Sequence, residues 1–210
     1  MCRPDSSNHV CYKCMAALNP YPYHTLESGR LTISPGYEWS REFMGNLDIT
    51  SVEIRHGVTQ IGEHAFEGCT SLTSIVIPPS VGAIGERAFY GCTNLASIVI
   101  PSSVTTIGEA AFYECNNLTS IVIPLSVEAI GGHAFNDCTS LTSIVIPPSV
   151  TTIEGSAFNG CTNLQTIICS EEMEQTLKGR TDLGLNFNQN QNQNQKKFYR
   201  ENVLYHIAYR

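Results

Sequence analysis

Apolar and small polar residues alternate through Leu72-Thr73-Ser74-Ile75-Val76-Ile77, and nearly the same run returns every 23 residues. Such alternation, rich in β-branched residues, predicts a short strand with one buried face, Leu72, Ile75 and Ile77 pointing inward. Phe66, Phe89, Phe112, Phe135 and Phe158 share one register, Cys69, Cys92, Cys115, Cys138 and Cys161 a second, and Leu72, Leu95, Leu118, Leu141 and Leu164 a third. A unit this small cannot bury its own apolar face, so it gains a core only by stacking on its neighbours. The pattern predicts a β-rich α/β repeat, a solenoid whose interior is a set of side-chain ladders.

Proline ends each strand, at Pro78, Pro101, Pro124 and Pro147, because it has no amide hydrogen to give a ladder. Val81 and Ile84 return to the core. Gly85 is expected to take a positive φ, and Glu86 to Gly91 to close a short helical or 3-10 turn that sends Phe89 inward. The spacing of IP after the strand, IG in the turn and AF before a cysteine resembles the BspA-like leucine-rich repeat family from about Phe43 to Cys169. The resemblance implies a curved right-handed solenoid with its parallel sheet on the concave face, and binding to other macromolecules.

The register places strands near Ile49, Leu72, Leu95, Leu118, Leu141 and Leu164, the first of them degenerate. Glu154 stands where Gly62, Gly85, Gly108 and Gly131 stand, so that turn is expected to differ locally. Residues 1–42 read as an N-terminal leader and cap and 43–169 as the array. In the cap at 170–185, Ser170 to Gly179 reads as a short helix, expected to cover the last coil through Met173 and Leu177. Residues 186–195, almost purely Asn and Gln, read as a linker. The segment 196–210 is compatible with an amphipathic helix carrying Tyr199, Val203 and Ile207 on one side.

The formal net charge of −7 is uneven: ten acids face two bases between Leu47 and Cys169. An acidic array without a basic stripe argues against nucleic-acid binding. No apolar stretch is long enough for a transmembrane helix, and residues 1–9 lack the apolar core of a secretory signal, so an intracellular, cytoplasmic chain is expected. The sequon at Asn117 reads as incidental for the same reason. The ladder cysteines read as small apolar packing residues that stay reduced.

Cys11 and Cys14 form a CxxC, with Cys2, His9 and His24 as completing ligands for a zinc ion. Without a second clear pair this spacing is weak for metal, and redox-pair or unliganded-thiol readings remain beside it. His64 and His133 share a slot with Arg87, Ala110 and Ser156, which reads as solvent-exposed. Glu63, Glu86 and Glu109 read as a solvated row, and no nucleophile motif or phosphate loop is visible, so no enzyme and no cofactor are expected. The outward strand positions are the informative surface: Ser74, Ser97, Ser120 and Ser143 in one row, Val76, Val99, Val122 and Val145 in the next, and the prolines in a third. An exposed apolar stripe beside hydroxyls suits a protein partner, although valine also serves strand formation alone. The expected function is a non-catalytic protein-interaction scaffold, with a surface adhesion protein and a zinc-binding adaptor built on the CxxC as alternatives.

Overall fold

The computed structural model describes residues 23–185 and, by backbone alone, residues 197–199. It opens with a hairpin, β1 (His24–Glu27) and β2 (Arg30–Ile33), whose turn residues Ser28 and Gly29 both take positive φ, as a tight two-residue hairpin turn requires. β3 (Ser51–Ile54) then lies parallel to β2, and β4 (Gln60–Ile61) begins a separate sheet. The repeats supply the rest: β5 (Ser74–Val76), β6 (Ala83–Ile84), β7 (Thr106–Ile107), β8 (Ser120–Val122), β9 (Ala129–Ile130), β10 (Ser143–Val145), β11 (Thr152–Ile153) and β12 (Thr166–Ile168).

The strands stack in parallel and in register one repeat apart, giving a β-solenoid. One face carries β1-β2-β3-β5 and β8-β10-β12. A second face, which the pattern did not suggest, carries β4-β6-β7-β9-β11, each strand only two residues long. The side-chain ladders are as expected. Leu72, Ile75, Ile77, Val81, Ile84 and their equivalents are buried, and the phenylalanine rings from Phe66 to Phe158 stack at centroid spacings of 5.3–5.7 Å. Phe43 continues the stack at 6.3 Å from Phe66, under Tyr37 and His24.

Three expectations about the turn are corrected. Gly85 does not take a positive φ. Its lack of a side chain serves close stacking instead, since a Cβ there would lie 2.8 Å from the Glu63 nitrogen in the preceding coil. The left-handed conformation falls on the slot two residues later, His64, Arg87, Ala110, His133 and Ser156, with φ of 51–60°. A residue in that conformation interrupts right-handed winding, so Glu86 to Gly91 forms successive i to i+3 turns rather than a helix. Nor is the slot uniformly exposed: His64 is only 8% exposed and its Nδ1 contacts Glu67, and Ala110 is also buried, whereas Arg87 and His133 are exposed.

The turn at Glu154 differs as expected. Its carboxylate accepts a hydrogen bond at 2.9 Å from the amide of Gly132, which stands where Glu63, Glu86 and Glu109 stand in the preceding coils. At the C-terminal end Ser170 caps α1 (Glu171–Gly179) by accepting from the Met173 amide, and Met173 and Leu177 are buried against the array. Lys197–Tyr199 is a strand, β13, parallel to β12, not the helix expected there: its backbone satisfies the open sheet edge. Asn186 to Gln195 lies outside the described residues.

Candidate interaction face

Outward residues of the strand face come from alternate positions whose neighbours are buried in the core, so they form rows one repeat apart. Val76 is 64% and Val99 81% exposed, Val122 falls to 36%, and Val145 to 6%. Ser74, Ser97 and Ser120 are exposed beside them, whereas Ser143 is half-buried. The row predicted from sequence is therefore open over its first three coils and closed at Val145. Pro78, Pro124 and Pro147 are buried and Pro101 is half-buried, which removes the proline row from the stripe. Their carbonyls instead accept the Val81, Val104, Val127 and Val150 amides at 3.0–3.1 Å, closing each turn.

The ladder cysteines are buried. Each thiol donates to the phenylalanine carbonyl of the preceding coil, Cys69 to Phe43, Cys92 to Phe66, Cys115 to Phe89, Cys138 to Phe112 and Cys161 to Phe135, at 3.0–3.3 Å. A small residue with one weak donor fits this place, which explains cysteine beyond size alone. Burial pushes the Cys69 thiol up to about 11 and those of Cys92, Cys115 and Cys138 well above the ordinary thiol range. These thiols stay protonated at neutral pH and make poor nucleophiles.

His24 packs edge-on against Tyr37 and Phe43 at 5.4 and 5.2 Å. Cys2, His9, Cys11 and Cys14 lie outside the described residues. Among the described residues no three His, Cys, Asp or Glu side chains gather closely enough for a metal. A groove of about 420 Å³ beside Trp39 is lined by Arg41, Gln60, Glu63 and Glu86 on the turn side, away from the valine stripe. Sequence reasoning missed this groove, because Trp39 stands one period before Gly62, in a place the later coils give to glycine.

A profile of the BspA type leucine rich repeat region matches six copies across residues 40–165. The chain belongs to this family. Among solved structures, a leucine-rich repeat protein from Bacteroides ovatus is 35% identical over 70% of this chain and 38% of its own, with a TM-score of 0.62. The T. pallidum leucine rich repeat protein is 25% identical over 77% of this chain and 92% of its own, at a TM-score of 0.56. A leucine-rich repeat protein from Eubacterium ventriosum shares 27% identity over 70% and 41% of the two chains, at 0.55. No curated protein is significantly similar to the chain. Among the described residues, no helix is long and apolar enough to cross a membrane.

Proposed function

We propose that this chain is a non-catalytic scaffold that holds a protein partner on the strand face, between Ser74 and Val122. The observation that carries the reading is the exposure of Val76 and Val99, large apolar side chains in one row of the strand face with Ser74 and Ser97 beside them. Binding energy concentrates in such central apolar contacts once water is excluded. Residues 43–169 form the binding array in this proposal, bounded by caps at 1–42 and 170–185, with 186–195 as a linker to the segment 196–210. The acidic array disfavours nucleic acid as partner.

We place the protein in a reducing, intracellular compartment, a reading supported by the buried thiols of Cys69, Cys92, Cys115 and Cys138, which form no disulfide. The test is affinity capture with the full chain, followed by the double variant Val76→Glu, Val99→Glu. Each charge should weaken a true partner by about 2 kcal/mol, while the circular dichroism melt stays that of the wild type. A folded double variant with unchanged affinity would remove the strand face as the binding site.

A further inference from the structure

The strand face is broken at its third coil. Ser74–Val76 pairs with β3 and Ser120–Val122 with β10, but among the described residues no ladder joins either of them to Ser97–Val99. The other sides of the same coil are closed. β6 pairs with β7 and β7 with β9, the Phe89 amide donates to Ala111 and the Phe66 amide to Ala88, and the Tyr90 and Tyr113 rings stack at 4.7 Å. Among the described residues, the third coil is therefore bonded to its neighbours on its other sides but lacks a ladder on the strand face.

The residue sequence supplies a cause. Just before the well-paired strands two donors hold the coil to a single carbonyl of the preceding one: a threonine amide and hydroxyl at Thr50, Thr73 and Thr142, and in the last coil the Gln165 and Thr166 amides, both 3.0 Å from the Thr142 oxygen. The Thr73 amide and hydroxyl both donate to the Thr50 oxygen, at 2.9 and 3.0 Å, and those of Thr142 both donate to the Thr119 oxygen, at 2.9 and 3.0 Å. Thr50 makes the same pair of bonds to Gly29. Ala96 occupies this slot in the third coil, has no hydroxyl to donate, and its amide makes no bond to Thr73. On the other side the Thr119 amide reaches the Ala96 oxygen only at 3.4 Å, without the hydroxyl bond.

We propose that Ala96 makes the third coil a hinge, so that the strand face consists of two rigid halves that open and close about Ser97–Val99. The hinge lies under Val99, the most exposed of the four valines, so a partner seated there would touch both halves and sense their angle. The hinge itself depends on no partner and is tested on the full chain alone.

The experiment is amide hydrogen exchange on the wild type and on two variants of this exposed position, Ala96→Thr and Ala96→Val. Valine copies the shape of threonine without its hydroxyl. In the wild type, residues 96–100 should exchange at least about tenfold faster than residues 142–146, whose strand is paired on both sides. Ala96→Thr should slow residues 96–100 by about tenfold, and Ala96→Val should leave them fast. Equal protection of the two segments in the wild type would overturn the hinge. Protection restored equally by valine and threonine would overturn the hydroxyl as its cause. If a variant fails to melt cooperatively, the wild-type comparison decides the proposal.

Discussion

The buried thiol ladder makes the stability of this fold depend on alkaline pH in a calculable way. An ordinary thiol ionises near 9.0, whereas burial holds Cys69 at about 11 and Cys92, Cys115 and Cys138 well above the ordinary value. The folded values are raised, so the stabilisation is fully present below the unfolded value. It is lost as pH rises through the folded ones, because over that window the unfolded chain gives up protons that the folded chain keeps. Each such thiol steepens the loss by about 1.4 kcal/mol per pH unit, and four together reach roughly 5 kcal/mol per unit. That is as large as the whole stability of many domains, about 5–15 kcal/mol. Urea titrations followed by circular dichroism, in reductant from about pH 7 to about pH 10, should show a plateau and then a steep fall. Cys115→Ala should reduce the slope by about a quarter of its value. A slope below about 1 kcal/mol per unit near pH 10, or one unchanged in Cys115→Ala, would refute the account of these thiols.

Phe112 is fully buried between Phe89 at 5.3 Å and Phe135 at 5.5 Å, so Phe112→Ala should cost about 4 kcal/mol in a denaturant titration. Phe43→Ala, at the end of the stack, should cost about half as much, and equal losses would contradict the stacked core. Gly108→Ala places a Cβ 2.7 Å from the Glu86 nitrogen, and the separation of coils it forces should lower stability by about 2 kcal/mol or more, read in the same titration. Ser170→Ala removes the acceptor for the Met173 amide and should cost about 1 kcal/mol without altering the array.

The interior was legible because a strict 23-residue repeat projects each buried position onto a ladder: phenylalanine, leucine, isoleucine and cysteine all lie where the register places them. The helix at Glu171–Gly179 was legible from its acids, its lysine and its final glycine. What was lost concerns backbone. The two-residue strands of the second face are too short to show an alternation, and the left-handed slot holds His, Arg, Ala and Ser, none of which announces a positive φ as glycine does. Glycine itself misled, because Gly85 answers to a neighbouring coil rather than to its own torsion. The opening hairpin was hidden in residues outside the repeat, although Glu27-Ser28-Gly29-Arg30 before Leu31-Thr32-Ile33 is a readable turn. On the candidate face, sequence placed the valines outward on every coil. Val145 is nonetheless buried where Val76 and Val99 are exposed, a difference between like positions that the period does not contain.

The central claim, that the strand face receives a protein partner, is tested most directly by a photo-crosslinking residue placed singly at Val99, on the strand face, and at Glu109, on the exposed turn. With a partner recovered by affinity capture, Val99 should give a crosslinked adduct and Glu109 little or none. An adduct at Glu109 with none at Val99 would contradict the account and move the interface to the acidic turns.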